Sequence, residues 1–199
     1  MPRRLLARPH LALLFALVTV SIVGCDQATK WQALAHLTDT FTRDAPSAPL
    51  GLGAKLSRFL FAAHPRRVAR IAVLDDFWHF QYVENPGAAW SFLHDAPPVA
   101  GRLFLLATAL AGMVLLVLYA RRTTADEGLV RLGLALVLGG ALGNFLDRLR
   151  LGYVIDFIEW HWYERATWPL FNVADVAIST GVALLILTSF MGRRSPVPR

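Results

Sequence analysis

Asp156 in LGYVIDFIEW (151–160) and Asp175 in FNVADVAIS (171–179) are ionisable residues at the edges of strongly apolar stretches. A carboxylate at a bilayer boundary is costly to keep, which makes it a candidate site residue by default. With no Cys and no clustered His beside them, the pair points to acid/base chemistry on an acyl bond, with no metal and no cofactor expected. Two close carboxylates share one proton, so one can act as base and the other as acid. His10, His36, His64, His79, His94 and His161 are spread out and show no ligand spacing. No GxSxG is present, and no Ser stands in a recognisable nucleophile context.

Four further motifs carry unusual polar residues. Asp26 and Lys30 in DQATK are four apart and face one another on a helix. They read either as a helix-end ion pair of little energetic worth or as a buttress for a polar site. ENPGAAWSF (84–92) supplies Asn85 and a sharp turn, with Gly87 permitting close backbone approach to a ligand. Taken alone, it reads as a loop between a strand and the next helix. GNFLDR (143–148) places Asn144 and Arg148 on one helical face, with Asp147 beside Arg148 and read as orienting it. FNVAD reads as an approximate capping box, Asn172 at the N-cap and Asp175 at the third helical position, with Ala174 between. The positive helix terminus suits an ionised Asp175, while burial would push Asp156 towards its neutral form.

The elements that must position these residues follow from composition. Of 199 residues, 55% are hydrophobic and 17% charged, against about 25% charged in an ordinary soluble domain. The apolar residues form blocks at 11–24, 103–120, 129–146 and 176–192, the first extended by its flanks to 8–25. Each approaches the length needed to cross a bilayer. Arg3, Arg4 and Arg8 precede the first block, Arg121 and Arg122 follow the second, and Arg193 and Arg194 follow the last. By the positive-inside rule both termini are cytoplasmic. The long segment between the first two blocks translocates regardless of its charge. The net charge of +6 thus reads as membrane orientation, and with no basic helix face no nucleic-acid partner is expected. This topology puts the polar motifs together at the outer ends of helices or in outer loops.

The aromatic, alternating run FWHFQYV (77–83) predicts a strand. Trp160, Trp162, Tyr163 and Trp168 read as an interfacial belt. Gly139 and Gly143 form GxxxG, a close helix contact. Residues 40–70 read as an irregular or partly helical outer insertion.

DQATK, NPGAAWSF, GGALGNFLDRLRLGYVIDFIEW and FNVADVAIS, in that order, resemble the lipoprotein signal peptidases (signal peptidase II). The resemblance implies an all-α membrane protein of four transmembrane helices with a small extracytoplasmic β-cradle and a short helix, forming a single membrane-embedded domain over 1–199. It implies a membrane aspartic peptidase of the bacterial cytoplasmic (inner) membrane. Its substrates are diacylglyceryl-modified prolipoproteins, and its dyad is Asp156 and Asp175. It assigns Asp26, Lys30, Asn85, Gly87, Asn144, Arg148, Asn172 and Ala174 to substrate binding. Such an enzyme works among membrane lipids, near the outer face, and is expected to be a monomer.

Residues 40–70 make the gap between DQATK and NPGAAW longer than is usual for that family, and a lid, a partner contact and a tolerated insertion all remain open. Two rival readings are weaker. Ile22-Val23-Gly24-Cys25 imitates the lipobox of a lipoprotein, but a cleaved anchor leaves the other blocks unexplained. A small transporter relaying protons through its carboxylates is the other.

Overall fold

The computed structural model describes residues 9–43, 49–61, 65–87, 98–124, 126–163 and 165–191. The Arg residues that flank the first and last apolar blocks fall outside this range, as do residues 88–92 of the NPGAAWSF motif.

Helix α1 runs over Pro9–Leu37, α2 over Leu52–Phe61, α3 over Pro98–Ala120, α4 over Gly128–Arg150 and α5 over Val173–Met191. Four of these, all except α2, are long and apolar enough to cross a membrane. Their outward faces carry Leu13, Leu17, Leu103, Leu115, Ile186 and Phe190, all exposed. An apolar surface of that extent suits hydrocarbon, not water. The fold is therefore that of a mostly helical membrane protein with a small sheet.

The helices differ from the apolar blocks in extent. α1 runs through Cys25 to Leu37, so Asp26 and Lys30 lie inside the helix and not at its end. It stops at Thr38, whose Oγ1 donates to the Leu34 carbonyl at 2.6 Å and accepts the Thr40 N–H. α4 continues past Leu146 to Arg150, which carries Asp147 and Arg148 on its last turn. Gly152, at φ +87°, then reverses the chain, and its N–H donates to the Arg148 carbonyl. A left-handed glycine just past a helix end stops it in this way.

The sheet has four strands in the order β1-β2-β3-β4, with each neighbouring pair antiparallel. They are β1 (Arg70–Leu74), β2 (Trp78–Asn85), β3 (Val154–Trp162) and β4 (Ala166–Thr167). The strand expected over 77–83 is β2. α2 falls within the insertion, and β1 begins at its last residue, Arg70. The core lies between the end of α1 and the sheet, where Leu34, Leu37, Phe41, Phe59, Tyr82, Ile155 and Phe157 bury one another.

Glycines set how closely the helices approach. A methyl group on Gly139 would meet Ile22 Cβ at 2.8 Å, and one on Gly143 would meet the Asp26 carboxylate at 2.5 Å. One on Gly140 would strike the Ala174 carbonyl of α5. The GxxxG pair therefore packs α4 on α1, and Gly140 packs it on α5.

Candidate active site

Two local devices bring the two carboxylates together. β3 holds Asp156 opposite Val83 of β2. The chain before α5 is pinned to the same strand by an isolated bridge between Ile158 and Phe171. The very next residue, Asn172, opens α5.

Asn172 and Asp175 form a reciprocal capping box. The Asp175 N–H donates to Asn172 Oδ1 at 3.1 Å, and the Asn172 N–H donates to Asp175 Oδ2 at 3.1 Å. The Asn172 side chain is fully buried and its Nδ2 donates to Asp156 Oδ1 at 2.6 Å. One residue thus grips one carboxylate with its backbone and the other with its side chain.

The remaining oxygens are held by two more amides. Asn85 Nδ2 donates to Asp156 Oδ2 at 2.9 Å, and Asn144 Nδ2 donates to Asp175 Oδ1 at 2.9 Å. Asn85 is itself fixed by accepting the Gly87 N–H at 2.8 Å. Gly87 takes φ +94°, where a side chain is strained, and Leu105 also crowds the Cβ position. Asp156 is 2% exposed. Burial first, and then the charge of Asp175, push its carboxyl up to about 6, against the amide donors that favour the anion.

Beneath the carboxylates lies a buried ionic cluster. Lys30 Nζ pairs with Asp26 Oδ2 and with Asp147 Oδ2, both at 2.8 Å, and donates to Asn144 Oδ1 at 3.0 Å. The Lys30 contact turns the Asn144 amide so that its NH₂ faces Asp175. Asp26 Oδ1 accepts the Ala174 N–H at 3.1 Å, which caps α5 from a neighbouring helix. The Asp26–Lys30 pair is therefore a buried buttress and not a surface ion pair. Ala174 contributes its backbone N–H and is itself fully buried.

Arg148 is half-buried on the same side, close enough to both Asp175 and Asp156 to feel their charge, with its Nη2 beside Gly87. Asp147 does not orient it. The Asp147 carboxylate is taken up by Lys30, by Arg150 Nη2 at 2.7 Å, by Gln27 Nε2 at 3.1 Å and by the Ile155 N–H at 3.2 Å. A helix offers Asp147 neighbours at three and four residues as well as at one, and Arg150 at three is the one that reaches it.

A family model described as Signal peptidase (SPase) II matches residues 18–191. A lipoprotein signal peptidase of Anaeromyxobacter sp. (strain Fw109-5) is 41% identical over 184 residues, spanning 90% of this chain and 86% of the relative. This chain belongs to the signal peptidase II family. A second family member, the lipoprotein signal peptidase of Pseudomonas aeruginosa (strain UCBPP-PA14), is 40% identical over 141 residues, with coverage of 71% and 83%. Two solved structures share the fold. One is described as a bacterial membrane enzyme determined by the in meso method at 2.3 Å; its TM-score is 0.67 at 22% identity, covering 100% of this chain and 98% of that one. The other, described likewise at 1.9 Å, has a TM-score of 0.64 at 23% identity, with coverage of 92% and 94%.

The structure brings Asp26, Lys30, Asn85, Gly87, Asn144, Arg148, Asp156, Asn172, Ala174 and Asp175 of this signal peptidase II family member together around the two carboxylates. Sequence reasoning missed Gln27 and Arg150. Gln27 sits beside Asp26 in DQATK, and Arg150 lies three residues after Asp147. Both spacings were visible, but neither residue stands out from a solvated helix end.

Proposed function

We propose that this protein removes signal peptides from diacylglyceryl-modified bacterial prolipoproteins, with Asp156 and Asp175 as an aspartic dyad. Asn172 carries this reading, because its backbone holds one carboxylate and its side-chain amide the other. The names of its relatives support the substrate class.

Asp156 enters the reaction as the acid, since burial and the Asp175 charge favour its protonated form. Asp175 takes a proton from a water molecule. The resulting hydroxide attacks the carbonyl carbon of the residue before the lipid-modified Cys. Asp156 then protonates the departing amine of that Cys, the C–N bond breaks, and the signal peptide leaves with a free carboxylate. The proton on Asp175 passes back to the pair and restores its single shared proton. No cofactor takes part. Arg148, Gly87 and Asn85 lie together beside the dyad, where they would meet the peptide backbone.

The Arg pattern supports cytoplasmic termini and a dyad near the outer face of the inner membrane. There the diacylglyceryl chains stay among membrane lipids while the peptide reaches the dyad. The test is direct: the purified protein should release a signal peptide from a diacylglyceryl-modified prolipoprotein and leave the unmodified precursor intact. Equal cleavage of both, or of neither, contradicts the reading.

A further inference from the structure

α2 belongs to the insertion that the family resemblance leaves unexplained, yet it is fastened to the ionic cluster. Phe59 is its one buried hydrophobic residue. Its ring packs edge-on against Trp31, the neighbour of Lys30, at 5.2 Å between centroids. The Arg150 guanidinium lies over the same ring, with Cζ 4.0 Å from its centre. Arg150 Nη1 donates to the Phe59 carbonyl at 2.6 Å while Nη2 holds Asp147 at 2.7 Å. One planar fork thus spans the insertion and the cluster, a geometry open to Arg and not to Lys.

The consequences run inward. Asp147 shares Lys30 with Asp26, and Lys30 sets the Asn144 amide that holds Asp175. Arg150 also balances charge: with it, the cluster has two carboxylates and two cations, and without it one carboxylate stands unbalanced. The Phe59 ring covers the guanidinium, leaving the Arg150 side chain 11% exposed. Keeping water off the Arg150–Asp147 pair strengthens it.

The geometry points to Phe59 and Arg150 as positioning residues, through which the insertion helix α2 fixes the Asp147–Lys30–Asn144 chain and hence Asp175. This rests on the dyad reading for its kinetic consequence but not for its structural one. The insertion is then a working part of the site's support, neither a lid over substrate nor a tolerated loop.

The experiment compares wild type with Phe59→Ala, Phe59→Tyr, Arg150→Lys and Leu56→Ala in lipid nanodiscs. Turnover is measured on a diacylglyceryl-modified prolipoprotein, and amide exchange is measured at Ile155 and Ala174, whose N–H groups donate to Asp147 and Asp26. Phe59→Ala and Arg150→Lys should lower kcat by about 2- to 30-fold, the range for changes along a contact chain. KM should stay within about twofold, and both amides should exchange faster. Phe59→Tyr should restore turnover. Leu56→Ala, at an exposed position on the same helix, should change nothing. Unaltered kcat and exchange in Phe59→Ala overturn the inference. So does a rise in KM at constant kcat, which would mean that α2 touches substrate. Should Phe59→Ala not fold, Phe59→Leu keeps the apolar volume, loses the ring face under Arg150, and is read in the same way. Should the wild type itself cleave nothing, the proposed function fails while the exchange rates still decide the coupling.

Discussion

At the scale of single residues, Asn172 makes the two carboxylates unequal. It places Asp175 on a helix terminus and leaves Asp156 buried on a strand, with a carboxyl pushed up to about 6. Removing the Asp175 charge removes one of the causes of that rise. In Asp175→Asn the Asp156 carboxyl should therefore titrate below about 6, as read by its infrared carboxyl band. An unchanged midpoint would show that the two do not interact. The sign for stability is fixed as well. A carboxyl raised from 3.8 to about 6 contributes stability that is present below the lower value and lost as pH rises through the upper one. Wild-type thermal stability should thus decline between pH 4 and 7 relative to Asp156→Asn, and parallel curves would contradict the buried placement. Asp147 behaves differently. Its spacing suggests a partner for Arg148. Fully buried and shared by Lys30 and Arg150, it should cost about 3–5 kcal/mol on substitution to Asn, the usual cost of stranding a buried charge. A thermal midpoint close to wild type for Asp147→Asn would overturn that assignment. The capping box was legible because it is local, fixed by a three-residue spacing. The Asp147 partners were not, because three of them, Lys30, Gln27 and Ile155, come from other elements.

At the scale of elements, the four long helices were legible from their apolar runs, since the bilayer sets both length and composition. Their ends were not. Asp26, Lys30 and Asp147 break the apolar pattern without breaking the helix, because they satisfy one another. β3 was not legible as a strand: Val154, Ile155, Asp156 and Phe157 are all buried, so the alternation that marks a half-exposed strand is missing. β2 is only partly buried along its length and was recognisable from its aromatic, alternating sequence. α2 was hidden by the Gly and Pro residues around it. The contact that matters most between elements is α4 on α5, where Gly140 meets the Ala174 backbone. Gly140→Ala should push the start of α5 away from α4, costing roughly 1–3 kcal/mol by overpacking and lowering turnover with it. Wild-type melting and turnover together would show that the two helices are not so close.

At the scale of the whole molecule, the apolar helix surfaces and the Arg pattern make a claim about orientation. A reporter fused after Arg122 should report the cytoplasm and one at Trp162 the outer side; Trp162 on the cytoplasmic side would put the two carboxylates on the wrong face for an exported precursor. The central claim is that the paired carboxylates form an aspartic active site, and the most direct measurement is turnover by Asp156→Asn and Asp175→Asn on a diacylglyceryl-modified prolipoprotein. An amide keeps the shape of the carboxylate but cannot take or share its proton. Losing a general acid/base group costs roughly 10²–10⁴-fold, and members of a unit that acts together each cost nearly as much as the whole. Both variants should insert, bind the precursor and cleave it at close to background. Near wild-type turnover by either one would contradict the account.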